Sequence, residues 1–266
     1  MTTLESAGAT LTYQLDGTAG PVLSLAHGWC SQLEHWQPQA DAFSATHRVL
    51  RWDRRGMARS QTDVPALNPE QHADDLAALL DHLGLGRTTI IGHAGGAPSA
   101  VAFAARHADR TDALVVVDTL MRRAPAPGEP DPFAETIEAL AANLERADGR
   151  DYLATLYPSF FGSRAAPALV EAAVANALRT PLSVAATEVR HMCIDAGAWA
   201  DQVTCPVLWV SAQPTDTEAI RALFPAAAIG HVVGSGHFVQ LEVPEQFNAM
   251  LSTFLDQQPA TAVSPR

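Results

Sequence analysis

The chain has 266 residues, 47% of them apolar, and a formal net charge of −12. The length suits one α/β domain with an insertion, and the apolar share suffices for a sizeable core. The acidic balance disfavours nucleic acid or an anionic membrane surface as partner, since both need a positive face, and no run of about 18 apolar residues marks a membrane span.

In chain order, Leu11–Leu15 and Val22–Ala26 read as strands, the second an apolar run bounded by Pro21 and Gly28. Val49–Trp52 is the next. Residues 69–83 place apolar positions at helical spacing and stop before Gly84. Thr88–Gly92 is a strand and Ala97–Arg106 a helix. Leu114–Val117 is wholly apolar, as in a sheet covered on both faces. Val207–Val210 and Ala228–Val233 complete the strands, and Pro244–Leu255 is the last helix. Residues 128–190 are helical and Ala-rich, with no strand signal. The expected division is therefore a core of 1–127 and 191–256, a helical cap of 128–190 and a disordered tail of 257–266. Alternating strands and helices predict a mainly parallel, doubly wound sheet with ligands at the carboxyl ends of its strands.

The start Met-Thr-Thr-Leu-Glu has no basic region followed by an apolar stretch, so no signal peptide is expected. Three cysteines, Cys30, Cys193 and Cys205, form no paired spacing. That argues against a disulfide framework and for a reducing cytoplasm. No metal-ligand spacing occurs, and neither metal nor cofactor is expected.

The chemistry is expected at strand ends. Between strand 88–92 and helix 97–106 runs Gly92-His93-Ala94-Gly95-Gly96. Such a turn aims its middle residue into a site, but Ala94 has no oxygen and forms no acyl-enzyme. His237, in Gly234-Ser235-Gly236-His237-Phe238, is the candidate general base. Asp118, directly after Val117, is the better candidate to orient it, with Asp216, after the strand at 207–210, as the alternative. The amides of Trp29 and Gly95 are the candidate oxyanion donors. Trp29, Tyr157, Phe160, Phe161, Met192, His93 and Phe238 are candidate ligand neighbours, against the alternative of plain packing. Cys30 reads as a small buried thiol. Asp53 and Arg59 read as scaffold held by local ion pairs.

The turn at Ala94, the later His237 and the alternation resemble the α/β-hydrolase superfamily across essentially the whole chain. Within it, Gly28-Trp29-Cys30, the stretch Asp118 to Pro127, and Gln213-Pro214-Thr215 with Glu218 resemble the cofactor-independent 3-hydroxy-4-quinolone 2,4-dioxygenases. That resemblance implies Asp118 as the acid and His237 as the base. It also implies a cap aromatic near Phe160, no cofactor, and a small aromatic or apolar substrate that reacts with O2 and loses carbon monoxide. Ala94, Gly95 and Ser31 depart from that family's usual Ser, His and His. A weaker resemblance is to lactone hydrolases of zearalenone, through Gly56-Met57, Arg59-Ser60 and Pro214-Thr215.

The resemblance makes the oxygen-dependent reaction the leading expectation, with a serine ester, lactone or C–C hydrolase whose nucleophile is replaced as the alternative. In the oxygen-dependent reaction Ala94 removes at most one hydrogen bond, worth about 0.5–1.5 kcal/mol. In a serine ester, lactone or C–C hydrolase it removes the nucleophile, at a cost on the order of a million-fold.

Overall fold

The computed structural model describes residues 1–63, 67–126, 128–212 and 215–258. Pro127, Gln213, Pro214 and the tail beyond Gln258 lie outside the described residues. One sheet contains β1 (Thr2–Ser6), β2 (Ala9–Asp16), β3 (Val22–Ala26), β4 (Arg48–Trp52), β5 (Gln61–Thr62), β6 (Thr88–His93), β7 (Thr111–Val117), β8 (Val207–Ser211) and β9 (Ala228–His231). Its order is β1-β2-β4-β3-β6-β7-β8-β9, with β5 on β2. β2 runs antiparallel to β1, β4 and β5, and from β4 to β9 every pairing is parallel.

Period-two alternation divides the strands between two cores. Ile90, Leu114 and Val116 face one layer, built from α2 (Pro69–His82), α3 (Ala97–Arg106), α8 (Gly197–Ala200) and α9 (Thr217–Leu223). Ile91, Val115 and Val117 face the other, built from α1 (Gln37–Phe43), α10 (Val239–Glu242) and α11 (Pro244–Asp256). This two-sided covering is why β7 needs no polar face.

Local signals set the boundaries. Asn68 caps α2 by accepting from the Gln71 amide, and Gly84 follows with φ +63°. β1 and β5 were not expected: one is a short polar edge strand and the other has two residues. β9 stops at His231, two residues short of expectation.

Between β7 and β8 the chain forms α4 (Pro132–Glu145), α5 (Gly149–Leu156), α6 (Pro167–Ala177) and α7 (Leu182–Arg190). Asp131 caps α4. The two ends of this excursion meet where Arg122 pairs with Asp195 and its carbonyl accepts the Ala196 amide at 3.1 Å. Ile137, Ala141, Leu144, Leu153, Ala177, Ala185 and Val189 pack together there, with Trp29 and Phe238 from the sheet side in the same cluster. Among the described residues no helix is long and apolar enough to cross a membrane.

Candidate active site

The turn after β6 is tight because two glycines permit it. A Cβ on Gly92 would stand 2.7 Å from the Ala97 Cα, and one on Gly96 would stand 2.5 Å from the His27 carbonyl oxygen. Ala94 sits between them at φ +48°. A non-glycine residue there costs on the order of 1–2 kcal/mol, which the surrounding packing must offset. The strained turn is thus present without a side-chain oxygen.

His237 and Asp118 meet. The His237 Nδ1 donates to Asp118 Oδ2 at 2.7 Å, and the Ala212 amide donates to Oδ1 at 2.8 Å. Asp118 extends the β7–β8 ladder by donating its amide to the Val210 carbonyl, then turns at φ +41°. With Nδ1 committed, Nε2 is the ring nitrogen available to a substrate or water. The imidazole is 30% exposed and the carboxylate 13%. Asp216 instead caps α9, accepting from the Glu218 and Ala219 amides. Of the two carboxylates, Asp118 is the one in hydrogen-bond contact with His237.

The Trp29 amide nitrogen stands beside the elbow, 3.2 Å from where a Gly95 Cβ would be. Gly95 is partly exposed, and among the described residues the Trp29 N–H meets no acceptor. Free backbone amides of this kind can receive the charge that develops on a carbonyl oxygen.

Three of the candidate ligand neighbours are buried and held by other residues. His93, 1% exposed, donates Nε2–H to the His237 carbonyl at 2.9 Å. Tyr157, 1% exposed, bonds through its hydroxyl to the Trp29 and Cys30 carbonyls. Phe238 stacks on Phe161 at 4.5 Å between ring centres and retains almost no surface. Phe160, Phe161 and Met192 keep partial exposure, and the Phe160 ring lies 5.7 Å from that of His237. Trp29 is largely buried, its indole N–H donating to the Ala185 carbonyl at 2.8 Å.

Several anchors escaped the sequence. The His237 amide donates to the Phe160 carbonyl at 2.7 Å. Glu242 accepts from the amides of Gly162, Gly236 and Phe238, tying the turn before α6 to the His237 loop. Asp53 and Arg59 do pair, at 2.6 Å. Burial pushes the Cys30 thiol up, as expected of an inert one. A groove of about 390 Å³ lined by Leu208, Ile229, Met250 and Phe254 lies at the β9 edge; its lining has no ionisable group.

The site rests on buried neutral histidines. Burial, aided by the Arg54 charge, holds His27 well below the ordinary imidazole value. Burial and nearby His237 do the same to His93, and burial brings His35 down to about 4. Above pH about 6.5 these rings are neutral whether the chain is folded or not. Below it the unfolded chain takes up protons that the folded chain refuses, so stability falls with pH. The slope approaches ~4 kcal/mol per pH unit for three such groups. At about 2–4 °C per kcal/mol for a chain this long, Tm should drop by ~10–20 °C between pH 7 and pH 5. A melting series checks this; a flat Tm across that window would contradict it.

The family model described as the alpha/beta hydrolase fold matches residues 21–244. A protein named carbamate hydrolase RutD from Caulobacter sp. (strain K31) is 31% identical over 242 residues, covering 85% of this chain and 87% of its own. The 3-oxoadipate enol-lactonase 2 of Acinetobacter baylyi is 28% identical over 261 residues, covering 92% and 93%. The structure of the enol-lactonase from Burkholderia xenovorans LB400 superposes with a TM-score of 0.82 at 26% identity, over 96% of this chain and 100% of that one. These names favour hydrolysis over the oxygen-dependent ring opening that the sequence resemblance implied. The chain belongs to the α/β hydrolase fold family.

Proposed function

We propose that this chain hydrolyses a small, apolar, activated carbonyl compound, with an enol lactone as the substrate class, by direct attack of water. The observation that carries this reading is the assembled Asp118–His237 pair beside a strained elbow that holds Ala94. His237 Nε2 takes a proton from water, and Asp118 stabilises the imidazolium. The hydroxide oxygen bonds to the carbonyl carbon, and the electron pair moves to the carbonyl oxygen between the Trp29 and Gly95 amides. Collapse re-forms the carbonyl, breaks the bond to the leaving oxygen and returns the proton from His237 to the released enol.

No covalent intermediate divides this reaction, so the leaving group must be good. An enolate is better than an alkoxide, and the two enol-lactonase names point to that class. The partly exposed Phe160, Phe161 and Met192 suit an apolar body.

The test is turnover of α-angelica lactone, an alkyl ester and an alkyl carbamate, each with and without oxygen. Hydrolysis of the enol lactone, equal under both atmospheres and without a burst, is the expected result. No hydrolysis of any of the three would overturn the reading.

One observation favours a second reading. The acid stands at the end of β7, and base chemistry alone explains the missing nucleophile. A 3-hydroxy-4-quinolone anion formed by His237 would then combine with O2 and release carbon monoxide. Oxygen-dependent loss of such a quinolone would select it.

A further inference from the structure

The Trp29 amide has its direction set by groups that neither function uses directly. Gly28 C=O and Trp29 N–H belong to one planar trans peptide, so fixing the carbonyl fixes the N–H on the opposite side. Two donors hold that carbonyl: His27 Nδ1 at 2.9 Å and Arg54 Nη2 at 3.3 Å. The Arg54 amide donates to His27 Nε2 at 2.8 Å, which makes Nδ1 the protonated nitrogen of that ring. Arg54 Nε also donates to the His27 carbonyl at 2.9 Å. Arg54 therefore organises the whole approach to Trp29.

Arg54 is itself held from the helical segment. Its Nη1 meets Glu188 Oε2 at 2.9 Å, with side-chain exposures of 0% and 3%. The other Glu188 oxygen meets His72 Nε2 at 2.5 Å. Glu188 lies three residues after Ala185, so both occupy one face of α7. Ala185 accepts the Trp29 indole N–H while Glu188 grips Arg54. One helical turn thus holds the Trp29 residue by its side chain and, through Arg54, by its peptide plane.

We propose that Glu188 and Arg54 are positioning residues that aim the Trp29 amide at the carbonyl oxygen of the substrate. The inference rests on the hydrolase reading for its consequence but not for its geometry. A charge pair retained only for folding would be replaceable by apolar side chains of similar volume, since desolvating two ions offsets much of their attraction. A positioning pair would not.

The experiment compares wild type with Glu188→Gln and with the double variant Arg54→Met/Glu188→Leu, which removes both members of the Arg54–Glu188 pair together. Residual dipolar couplings of the backbone amides report the Trp29 N–H orientation, with Gly95 as the internal reference. In the double variant the Trp29 coupling should leave the value that fits the rigid core, while Gly95 keeps its own. Hydrolysis of α-angelica lactone should lose about 10-fold in kcat with KM within about twofold, as for an interaction made in the transition state. An unmoved Trp29 coupling in a folded double variant would overturn the proposal, whatever the activity. If wild type hydrolyses nothing, the hydrolase reading fails, and the dipolar couplings still decide this one.

Discussion

Asp118→Asn is expected to lower turnover by about 10⁴-fold while leaving the fold intact, and His237→Ala by about 10²–10⁴-fold. The first loss follows from hydrogen-bond polarity. The Ala212 amide requires an acceptor at the Oδ1 position and will keep the asparagine oxygen there. The new amide NH2 would then face His237 Nδ1, where a donor now meets the carboxylate. To accept from it, the ring must move its proton to Nε2 and can no longer act as a base from that nitrogen. Asp216→Ala, at a helix cap, should cost about 1 kcal/mol of stability and leave turnover within about twofold. Steady-state rates for the three variants check this, and equal losses at positions 118 and 216 would contradict it.

Ala94→Ser is expected to change the mechanism rather than only the rate. The backbone at 94 already has the φ of an elbow, so the new hydroxyl needs no rearrangement to project from it. With His237 paired to Asp118 and the two amides nearby, the variant should form an acyl-enzyme. A stoichiometric burst of p-nitrophenol from p-nitrophenyl acetate, and labelling by a fluorophosphonate, should appear in the variant and be absent from wild type. The gain in kcat/KM for the aryl ester should be at least about 100-fold, a small part of the roughly million-fold contribution of a matched serine. A variant inert to both reagents would mean that the elbow and His237 are not in register.

The parallel sheet and the two chemical strand ends were legible because they depend on short-range patterns. The apolar run before Asp118 and the Gly-rich stretch around His237 each mark a chain leaving a sheet. The role of Asp216 was also open to sequence reasoning: Asp followed by Thr217 and Glu218 is a helix-start signature. Whether Tyr157, Phe238 and His93 line a pocket or support it was left open because both kinds of aromatic have the same residue type. Only their 1–2% exposure separates them. Glu188 could not be found at all. Its partners Arg54 and His72 lie more than a hundred residues away, and nothing in the α7 pattern distinguishes a buried Glu from a solvated one.

Gly162 and Gly236 touch so closely that a Cβ on Gly236 would overlap the Gly162 nitrogen, and the neighbouring His237 amide is bonded to Phe160. The loop bearing the imidazole and the helices above it share one seam, and the Trp29 loop shares another through Ala185. Helices 132–190 are therefore not an interchangeable module. A chimera that takes them from a relative must also take the matching residues at Trp29, Arg54 and Gly236, or it will inherit a new ceiling over a misaligned base.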